Sequence, residues 1–251
     1  EARVGVGLGA AMIGYRGYLE SLNYAKQRPQ GRLPSEKSSH TQPVAIIEHS
    51  DVKRMLLAQK SYVEGSLALC LFAARLIDDA QGLEPQDQHI LLDLLTPIVK
   101  SFPSEYGPKA NDLAIQVLGG AGYTKDYPVE QCYRDNRLNP IHEGTTGIQA
   151  LDLLARKIWQ KDSRGVTLLM QHIERTLKQV SHPELAKLAN IFREHLNTAQ
   201  QTTTLLGQHL QRGNVDLSLA NASLYLDLMG KVVVAWLWLE MGNHAERCFA
   251  H

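Results

Sequence analysis

The stretch Glu48 to Gln81, EHSDVKRMLLAQKSYVEGSLALCLFAARLIDDAQ, decides the fold. Val52, Met55, Leu56, Val63, Leu67, Leu71 and Ala74 recur along it at helical spacing, which gathers apolar side chains on one face of an α-helix. The same spacing recurs through most of the chain, and alternating apolar-polar runs bounded by turn residues are almost missing. The chain is therefore predicted to be all-α.

Upstream, residues 2 to 27 read as a helix, with Ala2, Gly5 and Gly9 on one face and Gly7, Ala11 and Gly14 on another, small enough for neighbouring backbones to approach. It ends near Arg28-Pro29-Gln30-Gly31, and the Ser-, Pro- and Lys-rich segment from Gly31 to Pro43 reads as a loop. Downstream, Gly82-Leu83-Glu84-Pro85 breaks the long helix, and Pro85 suits the first turn of a helix running to about Phe102. A further helix is predicted from Pro103 to Leu118, closed by Gly119-Gly120-Ala121-Gly122. Another starts near Glu143 or Gly144 and runs to about Trp159. Three last stripes cover about 163 to 181, 184 to 212 and 216 to 248, the middle one defined by Leu185, Leu188, Phe192, Leu196, Leu206 and Leu210. They form an added helical bundle with a boundary near Lys161, so the expected domains are 1–160 and 161–251.

Composition narrows the class. With 26 basic and 26 acidic residues among 251, no overall field attracts nucleic acid or an anionic membrane, and no nucleic-acid partner is expected. Cys70, Cys132 and Cys248 are odd in number and lack any C-x-x-C pattern, which suggests neither a disulfide framework nor a zinc site and points to a reducing cytoplasm. No leader pattern opens the chain. The apolar run Val232 to Leu239 is too short to span a bilayer, and Asp227 and Lys231 before it favour a buried helix. The amphipathic pattern is already running at Arg3-Val4, so the chain reads as a fragment.

Gly5-Val6-Gly7-Leu8-Gly9 fails as a dinucleotide fingerprint, because the closing position counted from Gly7 is Met12 and no strand precedes it; helix packing accounts for it. His142-Glu143 fails as a zinc motif, because Thr146 stands where the second histidine belongs, and no metal site is expected. Gln116 to Tyr123, QVLGGAGY, has two readings: a plain helix stop, or bare backbone beside Gln116 that takes a flat ring or a phosphate. Ile141 to Gln149, IHEGTTGIQ, also has two. Glu143 either caps the following helix, favoured there by the helix dipole, or is a carboxylate set among apolar neighbours beside a bare Gly144 and usable as a base.

In this order, Arg28 to Gly31, Gln116 to Gly122 and Ile141 to Gln149, with Tyr127-Pro128-Val129-Glu130 and Arg134-Asp135 between them, resemble the arginine turn, flavin-adenine segment and catalytic segment of the acyl-CoA dehydrogenases. The resemblance covers about residues 1 to 160 and implies the family's C-terminal four-helix domain, without its N-terminal helices and middle β domain. Residues 161 to 251, with Ala220-Asn221-Ala222 and Ala235-Trp236-Leu237, resemble the extra C-terminal helices of a subgroup that includes dehydrogenases like the methylmercaptopropionyl-CoA enzyme.

The resemblance implies FAD as cofactor, an acyl-CoA thioester as substrate and a 2,3-enoyl-CoA as product. Glu143 becomes the base that removes the α-proton, and its backbone N–H helps polarise the thioester carbonyl. Some members carry the base just before Arg3, where this sequence has Ala2. Arg3 and Gly144 match substrate-binding positions. Arg28 and Gln30 match positions on the diphosphate or adenine side of a flavin across a subunit interface, lined also by Gln116, Gly119 and Gly120. Thr145 and Gln149 match contacts to the FAD of the site holding Glu143, and His49 falls near a position touching the flavin nucleotide. The family's Phe-Gly after the arginine turn is Gln30-Gly31 here, which weakens Gln30 more than Arg28. A homodimer or homotetramer, an electron-transferring flavoprotein as acceptor for the full-length enzyme, and an inactive isolated fragment follow from the same resemblance. The alternatives are an acyl-CoA oxidase, which uses the same base but admits oxygen, and a non-catalytic helical oligomerisation module.

Overall fold

The computed structural model describes residues 2–36, 38, 40–79 and 85–249. They form helices and turns, with one isolated antiparallel bridge between Pro29 and Ala45, as the periodicity predicts. The helices are α1 (Ala2–Gln27), α2 (Ser50–Asp79), α3 (Pro85–Leu118), α4 (Val129–Asn136), α5 (Thr146–Leu151), α6 (Gln160–Lys178), α7 (Pro183–Gln211), α8 (Val215–Leu219) and α9 (Ala222–Phe249). A 3-10 turn covers Ile46–Glu48, another Gly119–Tyr123, and a turn of π-helix covers Asp152–Lys157.

Several expectations need correction. Pro103 does not start a new helix, because α3 runs unbroken through Pro97, Pro103 and Pro108. Proline's fixed φ is helical, and its missing N–H costs one bond each time. The buried Leu94, Leu95, Ile98, Val99, Phe102, Ala110 and Ala114 along α3 offset that loss. The stripe of α2 also drifts. Met55, Leu56 and Val63 are buried, but Leu71 is 58% exposed, and Leu69, Cys70, Ala73 and Leu76 take over the inner face. The stretch 216 to 248 is two helices, interrupted at residues 220–221, and α4 lies where no helix was predicted. Of the predicted break at Gly82 to Pro85, residues 82–84 lie outside the described residues.

The chain divides into two compact units. One comprises residues 6–67 and 103–142. Its core gathers Tyr18, Ala25, Ile46, Met55, Leu56, Val63, Ala114 and Val117. Here α1 and α3 cross at Gly14 and Gly107: a Cβ on Gly14 would lie 3.0 Å from the Gly107 Cα, and one on Gly107 would lie 2.8 Å from the Ala10 carbonyl oxygen. The small-residue face ending at Gly14 therefore does the packing, whereas a Cβ on Gly5 or Gly9 would meet nothing within 4 Å. Asn136 fixes the crossing by donating to the Ala10 carbonyl at 3.1 Å and to Asn111 Oδ1 at 2.8 Å.

The other unit takes in residues 2–5, 68–102 and 143–251 where described. Its central element is α9, which buries Val232, Val233, Trp236 and Leu237. The Trp236 indole donates to Thr176 Oγ1 at 2.7 Å and stands edge-on to Phe72 at 5.1 Å between ring centroids. The eight-residue run that seemed too short for a bilayer belongs to a longer segment: Ala222–Cys248 contains an 18-residue window of mean hydropathy 1.4 and suffices for a span by length and composition. Because 61% of its most apolar window is buried inside the unit, α9 is a core helix.

Candidate functional site

The residues singled out from the sequence fall into two groups, one in each unit. The first is built where α1 stops. The Ile46 N–H donates to the Arg28 carbonyl at 2.9 Å, the Gln30 N–H to Val44 at 2.9 Å, and the Val44 N–H to Gly31 at 3.1 Å. This short ladder ties the arginine turn to the segment leading into α2, so Arg28 and His49, twenty-one positions apart in sequence, line one cleft of about 360 Å³. A ring nitrogen of His49 lies 2.7 Å from the Gln30 carbonyl oxygen.

The end of α3 supplies the other wall, with Gln116, Val117, Leu118 and Gly119. Gly119 has φ +61° and stops the helix in the left-handed conformation that glycine takes without a Cβ penalty. Arg28, Gln30, Gln116 and Gly119 thus share the cleft, while Gly120 is exposed and is not one of its lining residues. A guanidinium, an imidazole and an amide around bare backbone make a place suited to a phosphate or the edge of a heteroaromatic ring.

The second group surrounds Glu143. Glu143 (φ 53°) and Gly144 (φ 88°) are consecutive left-handed residues, so the helix expected to start there begins only at Thr146. Its N-cap is Thr145, whose Oγ1 accepts from the Ile148 N–H at 3.4 Å, and the cap role weighed for Glu143 is filled by Thr145. The Glu143 side chain is exposed.

Both carbonyls of the turn are gripped. Gln149, 3% exposed, donates its amide to the carbonyl oxygens of Glu143 at 3.3 Å and Gly144 at 3.4 Å. Lys100, fully buried on α3, donates to Gly144 O at 2.8 Å. Arg3 donates to Gln149 Oε1 at 2.9 Å and to Asp152 Oδ2 at 2.7 Å, which settles which end of the Gln149 amide faces the turn. A Cβ on Gly144 would come 2.6 Å from Gln149 Nε2, so the grip needs glycine there. Burial would raise the Asp152 carboxyl, but hydrogen bonds from Arg3 and Arg156, with the charges of Arg156 and Lys157, outweigh it and hold the group below its usual 3.8.

Arg3, Gly144 and Gln149 are therefore joined in one network, with Thr145 capping the helix beside it. Sequence reading missed Lys100 and Asp152. Lys100 had one visible signal: a lysine inside the apolar run Pro97-Ile98-Val99-Lys100-Ser101-Phe102, where no solvent-facing stripe calls for it. Asp152 had none, since it reads as an ordinary helical carboxylate. Among the described residues no group of three or more His, Cys, Asp or Glu is placed to hold a metal ion. A larger apolar cleft of about 860 Å³, lined by Leu185, Leu188, Phe192, Trp238 and Leu239 among others, contains none of the predicted site residues.

Residues 1–158 match the family described as "Acyl-CoA dehydrogenase, C-terminal domain", and residues 169–250 match "Acetyl-CoA dehydrogenase C-terminal like". The chain is 33% identical over 253 aligned residues to the broad-specificity linear acyl-CoA dehydrogenase FadE5 of Mycobacterium tuberculosis, covering 94% of this chain and 41% of that protein. It is 37% identical over 184 residues to the 3-methylmercaptopropionyl-CoA dehydrogenase of Ruegeria pomeroyi, covering 72% of this chain and 31% of that one. Among solved structures, Caenorhabditis elegans ACDH-11, crystallised with C11-CoA, shares the fold at a TM-score of 0.77 and 17% identity over 96% of this chain and 40% of that one. The chain thus spans about two fifths or less of these relatives' length. With helices, motif order and both matched spans in agreement, this chain belongs to the acyl-CoA dehydrogenase family of flavoprotein oxidoreductases, as a C-terminal helical portion.

Proposed function

We propose that the full-length protein containing these residues is an FAD-dependent acyl-CoA dehydrogenase in which Glu143 removes the α-proton of an acyl-CoA thioester. The observation that carries this reading is the Glu143-Gly144 turn: an exposed carboxylate on a left-handed backbone, with both carbonyls held by buried side chains. Strain of this kind persists only where the surroundings over-determine it, and it concentrates at functional sites.

The Glu143 carboxylate takes the α-proton, and the electron pair left behind forms the Cα=Cβ bond as a hydride leaves the β-carbon. The backbone N–H of Glu143 hydrogen-bonds the thioester carbonyl oxygen, where negative charge develops. FAD, when bound, accepts the hydride. The Arg28 cleft fits the phosphate-bearing part of that cofactor: Arg28 provides charge, Gln116 and His49 provide hydrogen-bonding groups, and the Gly119 backbone carries no side chain to block approach. Thr145 and Gln149 are proposed to face the flavin bound beside Glu143.

The family resemblance further supports a homodimer or homotetramer, an electron-transferring flavoprotein as acceptor, and domains 1–160 and 161–251, a division that the two matched spans favour; the cysteine pattern suggests a cytoplasmic location. Residues 1–251 alone are proposed to retain FAD weakly and to be inactive. Anaerobic titration of the full-length protein with a panel of acyl-CoAs, followed by flavin absorbance, tests the reading. Bleaching by at least one linear acyl-CoA is expected, and an unchanged spectrum with every member of the panel overturns it.

A further inference from the structure

We propose that Lys100 is a positioning residue for the catalytic base, fixing the Glu143 backbone through its hydrogen bond to the Gly144 carbonyl; this rests on the reading of Glu143 as the base. An ammonium group removed from water costs several kcal/mol unless polar partners replace its hydration. Lys100 is nevertheless fully buried, and its Nζ donates to Gly144 O at 2.8 Å. The contact joins α3 to a loop forty-four residues later, so it fixes the loop against a rigid element.

What it fixes is otherwise unfavourable. A non-glycine residue in the left-handed region is disfavoured and persists only where its surroundings hold it there. Glu143 sits at φ 53° directly before Gly144 at φ 88°. Peptide planes in such a turn rotate easily unless their carbonyls are engaged, and rotation here would swing the Glu143 carboxylate and the direction of its N–H together. Lys100 holds the Gly144 carbonyl from α3, and Gln149 holds the Glu143 and Gly144 carbonyls from α5. Arg3, itself anchored on Asp152, keeps the Gln149 amide facing the turn. The chain Asp152–Arg3–Gln149 and the separate lysine converge on two adjacent peptide groups.

The test uses the full-length, flavin-loaded enzyme and an acyl-CoA that reduces it. Lys100→Met keeps the length and bulk of the side chain and removes the donor. Its kcat is expected to fall by about 10- to 100-fold, the scale of a base misplaced by about an ångström. KM and flavin content should stay near wild type. The primary deuterium isotope effect at the α-carbon should rise as proton removal becomes more fully rate-limiting, a change that loss of stability alone does not produce. If Lys100→Met fails to fold, Lys100→Leu, which also removes the donor and keeps an apolar side chain at the buried position, carries the same kinetic expectation. A folded, flavin-bound Lys100→Met with kcat within threefold of wild type and an unchanged isotope effect overturns the inference; so does the same result in Lys100→Leu where that variant decides. Glu143→Gln separates the two failures. Full activity in that variant overturns the base itself, whereas its inactivity beside a normal Lys100→Met overturns only the positioning role.

Discussion

The Arg28 cleft and the Glu143 turn both lie where helices end, yet they are built by opposite means. The cleft is open: Arg28, Gln30 and Gln116 are exposed, and a ladder of three backbone bonds with a glycine stop leaves donors around bare backbone. The turn is closed from behind: its two carbonyls are tied to Lys100 and Gln149, both buried, and its conformation is one that glutamate seldom adopts. A binding surface for a flexible, charged ligand tolerates small movements, because several polar groups share the load. A base that must meet one carbon-bound proton does not. On the proposed function, the two regions separate binding from chemistry along the same chain.

Substitutions should keep these roles apart. The largest effect is expected from Glu143→Gln, which keeps the shape but cannot take a proton: kcat of the full-length enzyme should drop by about 10²- to 10⁴-fold with flavin content unchanged. Steady-state assay beside the visible flavin spectrum measures both. Arg28→Ala should do the reverse, weakening FAD retention by about 10- to 100-fold, as expected for a lost charge-assisted hydrogen bond. The kcat per bound flavin should hold. If Arg28→Ala lowers turnover of the loaded enzyme as strongly as Glu143→Gln does, the contrast between the two regions collapses.

A smaller effect is expected at Asp152. Asp152→Asn should cost about 1.5 kcal/mol at neutral pH, near the low end for a charged hydrogen bond because the Arg3 side chain is 30% exposed. The Asp152 carboxyl is depressed in the folded state, so the unfolded chain binds its proton more readily. The stabilisation is complete above the ordinary carboxylate value of 3.8 and fades as pH falls through the lower folded value. Urea melts at pH 7 and at progressively lower pH should show the wild-type advantage shrinking, and an advantage that persists to the acid limit would exclude an ionised pair.

Much of this architecture can be read from the sequence, and the parts that cannot share a physical cause. Helical spacing marks α1, α2 and α7 because amphipathicity is a local property. The order of the arginine turn, the glycine stop and the Glu143 segment marks the site because each is a short continuous motif. Lys100 and Asp152 were hidden because their significance lies in contacts 44 and 149 residues away along the chain. Pro103 misled for a related reason: its local preference is to end a helix, and only distant burial reverses it. For Glu143 the residues alone left cap and base open and the family resemblance pointed to the base; the structure shows that Thr145 holds the cap.

The three prolines inside α3 also bear on the order in which the protein assembles. A segment that forgoes three N–H donors depends on tertiary packing rather than on its own helix propensity. The N-terminal half of α3 finds compensating partners far downstream: Lys157 pairs with Asp93, and Arg164 donates to Asp87 at 2.6 Å. Part of the support for residues 85–118 therefore comes from chain that is synthesised later, which couples the formation of α3 to that of the segment around Lys157 and Arg164. Lys100 lies within that segment, so its grip on the Gly144 carbonyl depends on the same coupled assembly.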